Sequence, residues 1–595
     1  MPFAIEVQPA GLRLQFSHPI NLLDALRQAG VSVRADCGGE GACGKCVVQI
    51  LSSNPPPPNA YDRRHLPQSE LEQGFRLACK MVVSTSIKIF IPIRSVINGQ
   101  VLQVEGDHSI VPLQPAVGII PVACHEANLR DLQSDLARVL QTLPTTISTA
   151  NLDVVRCLPH ILRENNWQAN LWVRGNSIIH AAARTSEKHI GLAVDIGSTK
   201  IASFLVDLET GRTLTAQGVP NPQIAYGEDI MSRLAYAQKS DEQAFALHQC
   251  VIDAINDASA AMCERFGWTP RDITDACLVG NTAMHHFFLN LPTAALAVSP
   301  FVPATSHPHY PSAQDIGIHT MPAAAVYAPP VIAGFVGSDH LAFLLSADFV
   351  SRNAIRLGID IGTNTEIALQ KGSRIVSVST ASGPAFEGAH IKFGMRAAPG
   401  AIEYVTITDD GSIQIEVIGK QQPVGICGSG ILDVIAQMRL RGMLNHRGRI
   451  NRKAAGIQED QDGTPYLALS HGDQPVTISQ QDIDQILLAK GAIRAGIDIL
   501  MDYLEIDADD LDEIVIAGAF GSYMRPQHAV GIGMLPNVPL EKIRIAGNAA
   551  GTGARLMLKS VPMRRTAEQL ARTIEYLELT VYPDFPLFYA NGIRA

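Results

Sequence analysis

Residues 191–212 read GLAVDIGSTKIASFLVDLETGR, and residues 358–374 read GIDIGTNTEIALQKGSR. Each stretch has a hydrophobic strand that ends in Asp-Ile-Gly, a tight turn rich in hydroxyl side chains, and a returning strand. The two Asp-Ile-Gly units begin at Asp195 and Asp360, 165 residues apart, which marks an internal repeat. The repeat predicts two related α/β subdomains that face each other across a nucleotide cleft.

The tips of the two hairpins suit the binding of phosphate groups, because small residues let backbone N–H and hydroxyl groups approach phosphate oxygens closely. The candidate phosphate contacts are Gly197, Ser198, Thr199, Lys200, Gly362, Thr363, Asn364 and Thr365. Lys200 is equally compatible with a solvated position on the strand. Asp195 and Asp360 end their strands, where a carboxylate could hold a hydrated Mg²⁺ or organise the attacking water.

Three further glycine-rich segments lie in the same part of the chain. Residues 427–433 read CGSGILD and open a helix, with Gly428, Ser429 and Gly430 as candidate contacts. Residues 514–522 read IVIAGAFGS, a buried strand followed by a turn whose bare backbone could face adenosine. The candidate contacts in that turn are Gly518, Ala519, Phe520 and Gly521. Residues 547–554 read GNAAGTGA and open another helix.

Several other polar side chains have two readings. Glu366 and Glu387 are candidate water-orienting carboxylates, although an ordinary hairpin or helix-cap role is the simpler interpretation for each. Asp433 lies inside a predicted helix and is interpreted as structural. The adjacent His285 and His286 could ligate a metal, but a packed or surface pair is the simpler interpretation.

The N-terminal part of the chain carries a separate signal, a cluster of four cysteines. Residues 35–46 read ADCGGEGACGKC, so Cys37, Cys43 and Cys46 form a C-x5-C-x2-C run, and Cys79 follows 33 positions later. Thiolates in this pattern suit an iron–sulfur cluster, and the glycines of the loop let the backbone turn around it. The alternatives are four inert thiols or a zinc site, but zinc sites usually come as paired C-x2-C units.

The intervening segments predict the domain organisation. Strand and helix patterns surround the cysteines, a polar connector follows, and a short apolar segment with a helix near 127–143 comes next. The predicted units are an N-terminal domain at 1–97, a connector at 98–112, a small α/β middle domain at 113–187 and the repeat-bearing domain at 188–595.

The composition excludes several classes of protein. The chain has 595 residues, of which 46% are hydrophobic and 17% charged, so it can bury large cores. Its net charge of −10 argues against a general binder of nucleic acid or of anionic membranes, which needs a basic face. The first residues lack the pattern of a signal peptide, and no run of 18 apolar residues occurs. These features predict a cytoplasmic protein, without a membrane segment, whose other six cysteines are reduced core residues.

The N-terminal and C-terminal parts of the chain each resemble a known fold. Residues 1–97 resemble a β-grasp 2Fe–2S ferredoxin domain, although the plant type has C-x4-C-x2-C, one residue shorter than the run seen here. Residues 188–595 resemble the duplicated ATPase fold of actin, sugar kinases and heat-shock chaperones. In this resemblance DIGSTK is the first phosphate motif, DIGTNTE the second and AGAFG the adenosine motif.

The combination resembles the reductive activators of corrinoid proteins over nearly the whole chain. The stretches GEDIMSRLAYA (227–237), VGNTAMHH (279–286) and SGPAFEGAHI (382–391) are also similar to that family. The resemblance implies that the 2Fe–2S cluster, ATP and Mg²⁺ are the cofactors. It implies reduction of the cobalt(II) corrinoid protein of a methyltransferase system to cobalt(I), with electrons from an upstream low-potential donor, and it hints at a homodimer.

Three other functions share parts of this pattern. A small-molecule kinase of the same fold leaves the ferredoxin domain unexplained. An activator of another iron–sulfur enzyme, such as a dehydratase, resembles the ATPase half but carries its cluster at a dimer interface. A redox-sensing, chaperone-like ATPase remains an alternative, which ATP turnover and its stimulation by a corrinoid protein would distinguish.

Overall fold

The computed structural model describes most of the chain. The described residues are 3–8, 12–28, 33–35, 37–51, 55–92, 95, 111–184, 188–350, 353–472, 475–518, 520–521 and 523–594. The predicted connector falls outside them except for its last two residues, and so does Ala519 among the candidate contacts. None of the described helices combines the length and the apolar character needed to cross a membrane.

The N-terminal domain has the β-grasp arrangement. Its strands and helices are β1 Phe3–Gln8, β2 Leu12–Phe16, β3 Ile20–Asn21, α1 Leu22–Gln28, β4 Val47–Ile50, α2 Ala60–His65, α3 Gln68–Glu72, β5 Phe75–Leu77, β6 Val82–Val83 and β7 Ile87–Phe90. Five strands form a sheet in the order β2-β1-β7-β4-β5, in which β1 and β7 run parallel. Leu22, Leu23 and Leu26 of α1 share one core with residues of this sheet.

The middle domain is a small α/β unit. Its elements are β8 Val117–Ala123, α4 Asp135–Leu140, β9 Thr149–Ala150, α5 Leu152–Glu164, β10 Gln168–Arg174 and β11 Ser177–Ala182, with the sheet order β8-β10-β11-β9. The helix expected near 127–143 is confined to α4, so that prediction was wrong for its first turns. The side chains of Asn128 and Asp131 accept hydrogen bonds from backbone N–H groups two residues on, which makes turns instead. Ser134 then caps the helix.

The first half of the repeat-bearing domain is built on a five-stranded sheet. Its elements are β12 Ile190–Ile196, β13 Lys200–Asp207, β14 Thr213–Pro220, α6 Ile230–Ala237, α7 Asp241–Glu264, β15 Ile273–Gly280, α8 Thr282–Phe288, β16 Val326–Tyr327 and α9 Ser338–Ser346. The central strand β12 is buried along nearly its whole length, which explains its almost continuous run of apolar residues.

The second half has a six-stranded main sheet and two smaller sheets. Its strands are β17 Ala354–Ile361, β18 Thr365–Gly372, β19 Arg374–Thr380, β20 Ala401–Ile407, β21 Ile413–Val417, β22 Gly425–Ile426, β23 Ile457–Glu459, β24 Pro465–Ala468, β25 Thr477–Ser479, β26 Glu513–Ala517, β27 Ile543–Gly547 and β28 Glu575–Tyr576. Its helices are α10 Gly428–Leu440, α11 Gln480–Leu504, α12 Pro526–Gly531, α13 Ala549–Lys559, α14 Val561–Thr573 and α15 Phe585–Gly592.

The two main sheets have the same topology. The first has the order β14-β13-β12-β15-β16, and the second repeats it as β19-β18-β17-β26-β27 with β28 added at the edge. In both, the three hairpin-linked strands are antiparallel and the strand beyond them runs parallel to the first. Asp195 and Asp360 therefore end equivalent strands. The duplicated fold predicted from the internal repeat is confirmed.

A shared core joins the two sheets through helices α9 and α13. It contains Phe204 from the first sheet and Val515 from the second, together with apolar residues of both helices. The helices touch closely at Gly553, where a Cβ atom would lie 2.1 Å from the carbonyl oxygen of Ala342. The cleft between the subdomains consequently opens at the carboxyl ends of β12 and β17, where ligands bind in open α/β sheets.

Candidate functional site

The loop that carries three of the four predicted iron ligands is tightly curled. Its four glycines have φ angles between 66° and 102°, a region that suits glycine and strains other residues: Gly38, Gly39, Gly41 and Gly44. The backbone N–H of Ala42 consequently points back at the sulfur of Cys37, at 3.4 Å. Such N–H groups can donate to sulfur ligands of a bound cluster.

The four thiols form two contacting pairs, Cys37 with Cys43 and Cys46 with Cys79. A hydrogen bond from the Cys43 thiol lowers the pKa of Cys37 to about 4, against the opposing effect of burial. A hydrogen bond from the Cys46 thiol likewise lowers the pKa of Cys79, and the same contact raises the pKa of Cys46. Two pairs of sulfur atoms fit a centre with two irons, with one pair for each iron.

The two Asp-Ile-Gly hairpins face a common cavity of about 240 Å³ between the subdomains. The predicted phosphate contacts on its wall are Gly197, Ser198, Thr199, Lys200, Gly362, Thr363 and Asn364. Of these residues, Lys200 is partly desolvated. Burial lowers its pKa to about 8, although the nearby Glu387 opposes that shift. The structure therefore places Lys200 in the cleft and not at a fully solvated strand position.

Glu387 connects the two hairpin tips. The hydroxyl of Thr199 donates to one oxygen of its carboxylate at 2.8 Å, and the hydroxyl of Thr363 donates to the other. The two hydroxyl oxygens lie 3.2 Å apart. A bound phosphate group that took these hydroxyls as donors would leave the Glu387 carboxylate facing the cleft.

Four carboxyl groups gather at the floor of the cavity. Burial raises the pKa of Asp195 to about 8, and the neighbouring Asp339 and Asp360 add to that shift. Burial likewise raises the pKa of Asp360 to about 7 and that of Asp339 to about 6. Burial and the same neighbours raise the pKa of Glu366, which pairs with Asp360 across the hairpin.

This group of carboxyls has the oxygen donors that Mg²⁺ prefers. Within the described parts of the chain, no three His, Cys, Asp or Glu side chains converge closely enough to enclose one metal ion. Mg²⁺ usually keeps several waters and binds through one or two carboxylates plus the phosphates of its nucleotide. The carboxyls that line the cavity could supply one or two such ligands beside the hairpin tips.

Two asparagines reach the first hairpin from the starts of helices. Asn281 caps α8 and donates from its Nδ2 to the hydroxyl of Ser198 at 2.9 Å. Asn548 caps α13 and hydrogen-bonds the Asp195 carboxylate. Neither these asparagines nor Asp339, which lies in the first turn of α9, was among the predicted site residues. The recurrent Gly-Asn at the end of a parallel strand, just before a helix, is the signal that could have found the asparagines.

Two aromatic side chains also line the cavity. The rings of Phe386 and Phe520 stack with their centroids 4.6 Å apart. Gly428 lies against both, since a Cβ there would lie 2.0 Å from the Phe386 carbonyl oxygen. Gly518 has φ of 92°, and a Cβ on it would lie 2.2 Å from the carbonyl oxygen of Ile361. A flat apolar wall beside bare backbone suits an adenine ring.

Three predicted contacts lie behind the cavity wall. Thr365 is buried and hydrogen-bonds Ser382. Gly430 and Gly521 pack against backbone carbonyls, where a Cβ would lie 2.5 Å and 2.6 Å from oxygen atoms of Ile402 and Ala517. These residues shape the backbone of the site, whereas Gly428, Ser429, Gly518 and Phe520 line the cavity.

The remaining polar residues have packing partners. Asp433 is buried and its carboxylate lies 2.5 Å from Nδ1 of His528, which agrees with the structural interpretation. His285 and His286 are both buried in α8, where His286 also accepts from the backbone N–H of Ala304. Glu366 lines the cavity and accepts a hydrogen bond from Ser379.

Family models account for the whole arrangement of domains. The model for the 2Fe-2S iron-sulfur cluster binding domain matches residues 5–84. Models described as the RACo linker region, the RACo middle region and the C-terminal ASKHA domain of RACo match residues 106–188, 190–352 and 354–594. The segment called the middle domain above thus matches the linker region of the family, and the family's middle region is the first half of the repeat.

Similar proteins extend along nearly the same length. The chain is 32% identical to the corrinoid activation enzyme RamQ of Eubacterium limosum over 584 residues, which covers 94% of each chain. It is 26% identical to the Co(II) methylated amine-specific corrinoid protein reductase of Methanosarcina barkeri, over 67% of this chain and 76% of that protein. A solved reductive activator for corrinoid, iron-sulfur protein matches with a TM-score of 0.74 and 30% identity, over 100% of this chain and 98% of that one. The chain belongs to the RACo family, in which a 2Fe–2S ferredoxin domain is joined to an ASKHA domain.

Proposed function

We propose that this chain is an ATP-dependent reductive activator that reduces the inactive cobalt(II) form of a corrinoid protein to cobalt(I). The client would be the corrinoid protein of a methyltransferase system. One observation carries the proposal, namely that a group of four thiols and a nucleotide cleft between two hairpins occur on the same chain. The activities after which two relatives are named, corrinoid activation and corrinoid protein reduction, support it.

The energetics explain why such a reduction needs a nucleotide. A plant-type 2Fe–2S cluster supplies one electron near −400 mV. A cobalt(I) corrinoid is a stronger reductant, and each 100 mV of a one-electron gap costs about 2.3 kcal/mol. A gap of one or two hundred millivolts is then roughly 2–5 kcal/mol, which differential binding to two conformational states can supply. ATP would therefore drive a binding cycle and would not phosphorylate a substrate.

Different residues of the cleft would bind different parts of the nucleotide. The two hairpin tips would bind the phosphates, and the aromatic wall of Phe386 and Phe520 would bind adenosine. One or two of the carboxyls of Asp195, Asp339 and Asp360 would bind Mg²⁺, and the others would bind its waters. Glu387 would accept a proton from the attacking water once Thr199 and Thr363 turn to the phosphates.

Binding of the Mg²⁺–nucleotide complex is expected to strengthen with pH. The carboxyls of Asp195, Asp360 and Asp339 have pKa values raised to about 8, 7 and 6, so at pH 6 most of them are protonated. Mg²⁺ needs the ionised forms and must displace those protons. We expect affinity to rise at least about tenfold from pH 6 to pH 8, as measured by calorimetric titration.

The raised pKa values of these carboxyls also predict how the stability of the folded chain depends on pH. Because these pKa values are raised in the folded state, the folded chain holds more protons than the unfolded chain between about pH 4 and pH 8. Their contribution to stability therefore falls as the pH rises toward 8, and Mg²⁺ should restore it most at pH 8.

The affinity for the Mg²⁺–nucleotide complex has its own control. Asp339→Asn should make this affinity depend less on pH. An affinity of the wild-type chain that is independent of pH between 6 and 8 would contradict the assignment of these carboxyls to Mg²⁺.

The proposed function is tested by the visible spectrum of an anaerobic mixture. The mixture contains the purified chain with its cluster, an inactive cobalt(II) corrinoid protein and a low-potential reductant, with or without ATP. The cobalt(I) spectrum is expected to grow faster and further with ATP, and ADP serves as the control nucleotide. Equal rate and extent without ATP would refute the coupling. ATP hydrolysis stimulated by the corrinoid protein would separate this function from a redox-sensing ATPase.

A further inference from the structure

Among the described residues, a small set of contacts joins the ferredoxin domain to the ATPase domain. The guanidinium of Arg27 donates to the carbonyl oxygen of Ala225 and lies 5.1 Å from the ring centroid of Tyr226. Arg34 lies 4.0 Å from the carboxylate of Glu228. The segment 221–239 bears these partners, includes α6 and is called the docking loop below. It directly follows β14, the strand after the first phosphate hairpin β12–β13.

The docked face of the ferredoxin domain is the one that carries the cluster loop. Gly38, next to the ligand Cys37, packs so closely that a Cβ there would lie 2.9 Å from the carbonyl oxygen of Tyr226. Glu40, two residues further on, lies 3.3 Å from the ammonium group of Lys239. The docking loop therefore covers the side of the cluster loop at which the first cysteine stands.

Charges on the two surfaces are complementary. On the ferredoxin side, Arg27 donates to the backbone carbonyl oxygen of Ala225, and Arg34 lies near the carboxylate of Glu228. The side chain of Arg27 is only 9% exposed in this arrangement, although it lies at the end of a surface helix. A desolvated guanidinium over an aromatic ring makes a stronger contact than an exposed one.

A buried arginine gives the docking loop its shape. Arg233 is fully buried, and its guanidinium donates to the carbonyl oxygens of Gly227 and Glu228 and to the side chain of Gln223. These bonds hold the loop as one unit. A displacement at its start is therefore transmitted to the residues that meet the ferredoxin domain.

The start of the docking loop is bonded to the tip of the first phosphate hairpin. Asn221 is fully buried, and its side chain donates to the carbonyl oxygen of Gly197 at 2.8 Å. Its backbone N–H donates to the carbonyl oxygen of Thr199 at 2.9 Å, and its side-chain oxygen accepts from the N–H of Gln223. Movement of the hairpin tip must either carry Asn221 with it or break these bonds.

We propose that the docking loop is a resting site for the ferredoxin domain, which covers the cluster loop, and that a nucleoside triphosphate at the first hairpin loosens this docking. The inference rests on the proposed function only in requiring that the cluster loop be uncovered for a client protein. Phosphate groups that bind the hairpin tip shift Gly197 and Thr199, and Asn221 transmits the shift to the docking loop. Nucleotide and docking then bias one two-state equilibrium in opposite directions.

Hydrogen exchange of the full chain with its cluster tests this proposal. Amide exchange in residues 221–239 and 33–46, together with small-angle scattering, is measured without nucleotide, with ADP, and with Mg²⁺ and a non-hydrolysable ATP analogue. We expect the analogue to speed exchange in both segments and to increase the radius of gyration. No change, or slower exchange, under conditions where calorimetry shows the analogue bound would overturn the proposal.

Variants at the contact give a second readout. Tyr226→Ala and Arg27→Ala should each weaken docking about tenfold, equivalent to about 1.4 kcal/mol, and so speed exchange without nucleotide. The effect of the double variant should fall well short of the sum of the two single effects, because both single variants remove the same cation–π contact. Arg64→Ala, an exposed arginine of the same domain away from the docking loop, should behave as wild type. Additive effects, or no effect, would count against the contact.

The outcomes separate this inference from the proposed function. If cobalt(I) formation depends on ATP while exchange and scattering do not respond to nucleotide, the docking proposal alone fails. If nucleotide loosens docking while cobalt(I) forms equally well without ATP, the proposed function alone fails.

Discussion

Replacing Cys46 with serine is expected to abolish ATP-dependent reduction of the corrinoid protein while ATP hydrolysis at the cleft continues. Cys46 is 1% exposed and pairs with Cys79 in the core of the ferredoxin domain. A serine hydroxyl is a harder donor than a thiolate and is poorly suited to iron in such a site. Loss of a residue that only hydrogen-bonds a metal ligand lowers metal affinity or activity roughly 10- to 100-fold, so loss of the ligand itself should lower them further.

Three measurements check this result on anaerobically prepared protein. They are iron and sulfide content, the visible absorption of the ferredoxin domain, and the rate of cobalt(I) formation with ATP. Cys124→Ser is the matched control, because Cys124 is a half-buried thiol of the middle domain, far from the cluster loop in sequence. Unchanged iron content in Cys46→Ser, or zinc in place of iron in the wild type, would contradict the assignment of the four thiols.

Replacing Asp360 with asparagine is expected to slow ATP hydrolysis while leaving the iron–sulfur cluster intact. It should lower the rate of ATP hydrolysis by about 10²- to 10⁴-fold, since the side chain would no longer supply a charge to Mg²⁺ or to the attacking water. Asn keeps the size of the side chain and removes a buried carboxyl whose pKa is raised by burial and by Asp339, so folding should not suffer. The cluster absorption should be the same as in the wild type.

Steady-state ATPase assays with and without the corrinoid protein measure this effect. Asp195→Asn should behave similarly, because Asp195 ends the equivalent strand of the first subdomain. Asp509→Asn serves as the control, since Asp509 is exposed on the second subdomain away from the cavity. An Asp360→Asn variant that hydrolyses ATP at the wild-type rate would remove this carboxylate from the proposed chemistry.

Local patterns in the sequence predicted the elements of the site well. In both hairpins the first strand ends in Asp-Ile-Gly and is followed by small turn residues, a pattern that local interactions suffice to specify. The four cysteines with their glycines likewise encode a loop that wraps a compact group, as the positive φ angles of those glycines show. The helix expected near 127–143 was wrong for its first turns, because Asn128 and Asp131 prefer side-chain turns to helical hydrogen bonds.

Contacts between distant segments were beyond reach of these patterns. Asp339 lies more than a hundred residues from Asp195, and only the packing of α9 against α13 brings it to the cavity floor. Thr365, Gly430 and Gly521 belong to the recognised motifs, yet they turn away from the cavity because their neighbours on the same backbone face it. The contact of Arg27 with Tyr226 joins two domains, and no local pattern encodes it.

The amino-acid sequence by itself determined the ferredoxin loop, the duplicated ATPase fold and the residues at both hairpin tips, because each depends on spacing within a short segment. Tertiary structure decided which carboxyls share a cavity, how burial raises their pKa values, and where the ferredoxin domain rests. Those properties arise from desolvation and from distances between segments far apart in the chain, and neither quantity is written in local spacing.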